Sequence, residues 1–285
     1  MEWTTSRFLL DLTTPKVMGI VNVTPDSFSD GGSFASPAAA SRQCERLVRD
    51  GADILDIGAE STRPGALATD QAEELARLLP VVREAVKLGV PVSVDTYKPM
   101  VMQAALDLGV DIINDIWALR WPGIASTPAP GAMQVVAQHP RCGVCLMHMH
   151  LEPLTMQTRP MEGDAVSQVQ LFLQEAAARL QEQGVHRSRI VLDPGIGFGK
   201  TVAQNFALLA RQAELLRSGH PVMVGWSRKS SLARVAGIAD DAAPAHRLAA
   251  SVSAALLAVE RGASIVRVHD VAETVQALKV LGAIK

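Results

Sequence analysis

Eight short apolar, β-branched-rich runs recur along this chain, and almost every one ends in a residue fit for chemistry. Val17–Val21 runs into Asn22, and Ile54–Ile57 into Gly-Ala-Glu-Ser-Thr-Arg-Pro. Val92–Val94 ends at Asp95, Ile112–Ile113 at Asn114 and Val144–Met147 at His148. Ile190–Leu192 ends at Asp193, Val222–Val224 leads to Ser227-Arg228-Lys229-Ser230, and Ile265–Val268 carries Arg267 and ends at His269. Helix-length amphipathic segments separate the runs. Such alternation predicts a parallel sheet with crossover helices, and eight units predict a closed (β/α)8 TIM barrel with its site at the C-terminal strand ends. The chain of 285 residues suits one such domain, spanning 1–285.

Helices are expected over about 37–50, 70–87, 99–108, 133–138, 164–183, 202–217, 245–261 and 271–281, several of them stopping before a glycine. Trp117–Gly131 holds three prolines without a clear period and reads as a long loop. At a net charge of -2 there is no general basic field for nucleic acid, so any anion site is local. No apolar stretch reaches the roughly 20 residues of a membrane span. The start, Met1-Glu2-Trp3-Thr4-Thr5, lacks a secretory pattern. Three cysteines do not make a disulfide framework. A cytoplasmic protein is the expectation.

Two carboxylates and an amide, Asp95, Asn114 and Asp193, end three different strands. Together they can grip a flat heterocycle bearing donors and acceptors. N-capping accounts for one such residue more easily than for three, and Asn114 and Asp115 compete for the inward position. Ser227–Ser230, after the seventh run, offers hydroxyls and a lysine where barrels often hold phosphate. Arg267 and His269, two apart, share a strand face, and with Arg63 they can converge on one anion. The oxygen-rich loop Asn22–Gly32 reads as a lid or binding loop. Gly195–Thr201 misses the P-loop spacing by one residue, and reads instead as a loop that brings backbone and Phe198 near a ligand. Cys142 and Cys145 read as core residues, and Met147-His148-Met149 as lining of the mouth.

In combination, Met18–Gly32, Glu60–Gly65, Ser93–Thr96, Ile113–Ile116, Leu146–Met149, Asp193–Lys200, Ser227–Ser230 and Arg267–Asp270 resemble the dihydropteroate synthases, collinearly from about residue 15 onward. The resemblance implies a transferase that joins 6-hydroxymethyl-7,8-dihydropterin diphosphate to 4-aminobenzoate, releasing 7,8-dihydropteroate and pyrophosphate, with Mg2+ and usually as a homodimer. It implies that Asp95, Asn114, Asp193 and Lys229 hold the pterin, with Ile116, Met147 and Phe198 packed near it. Asn22, Arg63, Arg267 and His269 would hold the diphosphate, and Asn22 would help place Mg2+. Phe28, Thr62, Pro64 and Ser230 would shape the aminobenzoate pocket, which sulfonamides would contest. Asp30, Asp193, Lys229 and Arg267 would act in catalysis. A methyltetrahydrofolate-dependent methyltransferase would share the pterin acids without needing the anion cluster, and a non-catalytic pterin-binding paralogue would not need the first loop.

Overall fold

The computed structural model describes residues 1–24, 37–62, 65–123, 131–239 and 242–284. Phe28, Asp30, Arg63 and Pro64 lie outside the described residues, as does part of the 117–131 loop.

The eight apolar runs form one parallel sheet: β3 (Lys16–Asn22), β4 (Ile54–Gly58), β5 (Val92–Asp95), β6 (Ile112–Asp115), β7 (Gly143–Met147), β8 (Ile190–Asp193), β9 (Met223–Val224) and β10 (Ile265–Val268). Their order is β8-β7-β6-β5-β4-β3-β10-β9, and a parallel bridge from Leu192 to Val222 brings the two ends together, closing the barrel. Around it stand α1 (Pro37–Arg49), α2 (Gln71–Ala85), α3 (Pro99–Asp107), α4 (Ala132–Gln138), α5 (Ala165–Glu182), α6 (Val202–Ala210), α7 (Gln212–Leu216), α8 (Ser230–Ala236), α9 (Leu248–Glu260) and α10 (Val271–Gly282).

The strands bury both faces, as parallel strands covered by helices must. Leu55, Ile57, Val92, Val94, Ile113, Val144, Leu146, Ile190 and Val266 pack outward against the helices. Met18, Ile54, Ile112, Cys145, Val191, Met223 and Ile265 form an inner apolar layer. Side chains two apart share a strand face. One step nearer the C-terminal ends, the inner face therefore presents Asp56, Asn114, Met147, Asp193 and Arg267, and Asp95 joins them above Ser93. The barrel thus changes from apolar to charged within one layer.

A hairpin that the sequence pattern did not reveal, β1 (Glu2–Thr4) with β2 (Leu9–Asp11), packs on the inner layer at the opposite end. Its Trp3 is fully buried, and Trp3 Nε1 donates to the carbonyl of Arg189 at 2.9 Å. A single helix expected over 202–217 is instead two, broken at Arg211. The side chain of buried Gln212 donates to the carbonyl of Ala258 at 2.8 Å, which anchors the second piece to α9. Cys142 and Cys145 are buried, as expected of core residues.

Candidate active site

At the centre of the mouth sits Arg267, on β10. Its Nε donates to Asp56 Oδ2 at 2.6 Å and its Nη2 to Asp95 Oδ2 at 2.7 Å. Asp56 also accepts from Asn114 Nδ2 at 3.2 Å. Three neighbouring strands are thereby tied to the eighth. Asp56 is the residue of this mouth that sequence reading missed. It is fully buried in the middle of an apolar run, and an acid in such a run was the available signal, because a buried charge needs a partner.

The ambiguity between Asn114 and Asp115 is resolved by the same alternation. Asn114 faces inward to Asp56. Asp115 faces outward, where its carboxylate accepts from the backbone N–H of Trp117 and Leu119, each at 2.7 Å, and holds the loop that follows. Because the Asn114 amide nitrogen is engaged by a carboxylate, its oxygen is the atom left to accept from a ligand.

Asp193 ends β8, with Oδ1 accepting from Gly195 N at 2.7 Å. Burial raises its pKa, opposed by that hydrogen bond and by Lys229 and Arg267. Burial also pushes Asp95 up to about 7, against the pull of Arg267. Lys229, held at about 8 by burial and by repulsion from Arg267, lies 4.4 Å from the centre of the Phe198 ring. Ile116 and Met147 belong to a cluster with Tyr97, Met149 and Met156, and Phe198 packs on it. The apolar residues expected around a flat ligand thus come together beside the acids.

Backbone geometry explains why glycines stand in the loop after Asp193. Gly195 has φ +67°, and a Cβ there would lie 1.9 Å from the carbonyl oxygen of His148. Gly199 has φ +70°, and a Cβ there would lie 2.6 Å from His150 Cβ. Buried Lys200 pins this loop. Its ammonium donates to the carbonyls of Gly195 at 2.9 Å and Phe198 at 3.1 Å and meets His148 Nδ1 at 2.9 Å. His148 is thus turned aside, edge-on to Phe172, while Met147 and Met149 line the mouth.

In the segment after β9, Arg228 adopts φ +61°, a strained conformation for a side-chain-bearing residue. Three contacts hold it there. Its N–H donates to Ser251 Oγ at 2.9 Å, its carbonyl accepts from Arg247 at 2.9 Å, and its guanidinium pairs with Asp270 at 2.5 Å. The kink sends Arg228 outward and Lys229 inward. It also sets Ser227 against His269: Ser227 Oγ accepts from the backbone N–H of His269 at 3.1 Å and lies 2.9 Å from its Nδ1. A hydroxyl has one proton and two lone pairs, so it can take that N–H and still pair with Nδ1, which holds the Nδ1 edge of the ring toward Ser227 and leaves Nε2 turned away from it. Burial, with Arg228 and Arg267 nearby, lowers the His269 pKa to about 3.

Asn22 ends β3 on the inner face, in register with Gly58, which is in turn in register with Asp95. Thr62 is half-buried in the loop after β4, and Ser230, exposed, opens α8. Beside Ser230 a groove of about 350 Å3 runs past Gly197, Thr201 and Gln157.

This geometry agrees with comparison to known proteins. The pterin binding enzyme family matches residues 18–269. A dihydropteroate synthase of Neisseria meningitidis serogroup C is 46% identical over 280 residues, covering 97% of this chain and 95% of the relative. The chain belongs to the dihydropteroate synthase family.

Solved structures of that family superpose on the whole barrel. The Burkholderia cenocepacia dihydropteroate synthase complexed with 7,8-dihydropteroate is 47% identical, covers 99% of this chain and 96% of its own, and gives a TM-score of 0.87. The Xanthomonas albilineans dihydropteroate synthase with 4-aminobenzoic acid is 46% identical, with coverage of 97% and 95% and the same TM-score of 0.87. As a dihydropteroate synthase the chain is a transferase. The methyltransferase alternative loses its ground, since the relatives are synthases and the basic residues Lys229, Arg267 and His269 all stand at one mouth. Among the described residues no helix is long and apolar enough to cross a membrane.

Proposed function

We infer that this chain, as a single barrel domain, condenses 6-hydroxymethyl-7,8-dihydropterin diphosphate with 4-aminobenzoate to give 7,8-dihydropteroate and pyrophosphate. The observation that carries the assignment of residues is the inner charged layer, where Asp95, Asn114, Asp193 and Lys229 face one another around Arg267. The guanidine-like edge of the pterin donates hydrogen bonds. Asp193 and the free oxygen of Asn114 are acceptors of matching chemistry, Asp95 supplies a third, and Lys229 is a donor for the ring's acceptor side. Ile116, Met147 and Phe198 cover its faces.

The diphosphate lies toward Asn22, Arg267 and the His269 ring in this reading, with Arg63 of the second loop. Arg267 serves two sites at once: its guanidinium orients Asp56 and Asp95 and presents positive charge to the leaving group. The exocyclic C–O bond breaks, pyrophosphate departs with the bonding pair, and the cation left on carbon is delocalised into the pterin. Asp193, buried beneath the ring, stabilises that charge electrostatically, and Asp30 of the first loop is assigned the same task. The aniline nitrogen then forms the new C–N bond and gives up a proton. Thr62 and Ser230, with Phe28 and Pro64, form the aminobenzoate pocket, the Ser230 hydroxyl facing its carboxylate.

Mg2+ keeps several waters and binds through substrate phosphates with few protein ligands. Among the described residues no three acidic, histidine or cysteine side chains converge to cage a metal, whereas Asn22 offers one hard oxygen at the mouth. That donor set fits an ion held chiefly by diphosphate, for which it would neutralise charge. The reading includes a cytoplasmic location and a homodimer. In support of the latter, α9 is apolar nearly all round and still leaves Leu257 exposed. The decisive experiment is a coupled assay for dihydropteroate with both substrates and Mg2+. Absence of product from folded protein would overturn the assignment.

A further inference from the structure

Outside the mouth, the described residues contain one other fully knit buried ionic network. Lys98 follows β5 and is 4% exposed. Its ammonium donates to Glu60, to Glu74 Oε2 at 2.5 Å and to the carbonyl of Thr69 at 2.7 Å, which uses all three protons. Tyr97 Oη donates to the other oxygen of Glu60 at 2.7 Å, and Thr96 Oγ1 to the other oxygen of Glu74 at 2.7 Å. The backbone N–H of Thr69 adds a bond to Glu60 at 3.2 Å. Every carboxylate oxygen has a partner, as a buried network requires.

The positions of these residues in the chain give the network its meaning. Glu60 enters the loop between β4 and α2, and Thr69 leaves it, so Lys98 grips both ends of the segment that carries Thr62. Glu74 fixes the grip to α2. Tyr97 extends it sideways, its ring 5.1 Å from Trp121 and 6.2 Å from Trp117. Directly before Thr96 stands Asp95 of the mouth. A loop whose ends are pinned has fewer conformations to lose when a ligand orders it, and a displacement of about 1 Å at a positioning group can cost about a hundredfold in rate.

We propose that Lys98, with Glu60 and Glu74, is a positioning residue that sets the second loop for 4-aminobenzoate. The proposal rests on the assignment of Thr62 to that substrate. Removing Lys98 alone leaves two buried carboxylates facing each other and risks the fold. The test is therefore the charge-balanced double variant Lys98→Met/Glu74→Met, in which Glu60 keeps Tyr97 and Thr69, together with Tyr97→Phe and, as control, Thr62→Val. In the double variant KM for 4-aminobenzoate rises at least about tenfold, by the same positional argument, and Tyr97→Phe shifts it in the same direction by less. Affinity for bare 6-hydroxymethylpterin, measured by calorimetry, stays within about twofold of wild type, since that ligand does not meet the loop. A purely architectural role would move both ligands together or neither, and either result in folded protein refutes the clamp. If Thr62→Val raises the aminobenzoate KM and the double variant does not, the clamp falls while the pocket stands. If neither raises it, the pocket assignment falls and takes the clamp with it.

Discussion

Asp56 and Arg267 stand 211 residues apart in the chain and meet through a 2.6 Å hydrogen bond inside the barrel. The carboxylate is fully buried and the guanidinium spans from it to Asp95. Removing Asp56 leaves the partly exposed Arg267 guanidinium with one anchor fewer and Asn114 without its acceptor. Asp56→Ala is expected to destabilise the fold by about 1–3 kcal/mol, the cost of leaving hydrogen-bonded partners of a buried group unmatched while Arg267 keeps Asp95. It should also lower kcat/KM by more than about tenfold, since both neighbours lose their orientation. Urea unfolding and steady-state kinetics measure the two effects. Wild-type kcat/KM in a folded variant would remove Asp56 from the site.

Arg267 also governs a protonation state. Burial pushes Asp95 up to about 7 and Arg267 opposes that rise. Taking away the cation in Arg267→Gln raises Asp95 further, so less of it is ionised at neutral pH. The acid limb of the kcat/KM profile should move upward by about one pH unit or more. Loss of the donor to the leaving group should in addition slow the reaction by about two orders of magnitude. A profile merely lowered, with its acid limb unmoved, would show that Arg267 does not tune Asp95.

For Asp193→Asn, one acceptor becomes an amide, whose NH2 either faces the donor edge of the pterin or gives up the bond from Gly195 N–H. Pterin affinity should fall by at least about a hundredfold, as for other sites left with unmatched polar groups. Calorimetry with 6-hydroxymethylpterin reads this directly, and unchanged affinity would reassign the residue.

Ser227 Oγ holds the Nδ1 edge of the His269 ring at 2.9 Å. In Ser227→Ala that contact is gone, and the ring loses the partner that orients it and biases its tautomer. The diphosphate substrate should bind about tenfold more weakly, the loss of one good hydrogen bond, with the bare pterin unaffected. Nitrogen NMR of the imidazole reports the tautomer. An imidazole spectrum and a diphosphate affinity both unchanged in the variant would show that Ser227 does not position His269.

His148 makes stability depend on pH. Burial and the adjacent Lys200 lower its pKa to about 2, so the folded ring stays neutral while the unfolded ring takes a proton below about 6.5. The unfolded state then binds more protons, and stability falls as pH drops from about 6.5. Between pH 7 and pH 5 this amounts to about 2 kcal/mol. His148→Asn keeps an acceptor for Lys200 and cannot titrate, so its unfolding free energy should vary less over that range by about this amount. Parallel pH dependence in both proteins would argue against a neutral, buried His148.

The strand ends were legible because chemistry and alternation coincide there. A polar residue closing an apolar run is visible in one dimension, and Asp95, Asn114, Asp193 and Arg267 all turn inward as that pattern requires. Asp56 was hidden because it lies inside its apolar run rather than closing it, and its partners lie on β6 and β10, a relation only closure creates. Lys98 was hidden for the same reason: its carboxylates are 38 and 24 residues away. The break at Arg211 follows from the contact of Gln212 with α9, which local periodicity does not register. The Trp3 hairpin was missed because three-residue strands carry almost no periodic signal.

Trp3 gives the barrel a stopper. Its indole closes the end opposite the site, and the apolar layer of Met18, Ile54, Ile112, Cys145, Val191, Met223 and Ile265 fills the shaft above it. Among the described residues there is no back door. Both substrates arrive and both products depart across one rim, so catalysis here runs as a queue rather than a through-flow. The long dihydropteroate product and the small pyrophosphate must take turns at the same threshold that the next pterin is waiting to cross.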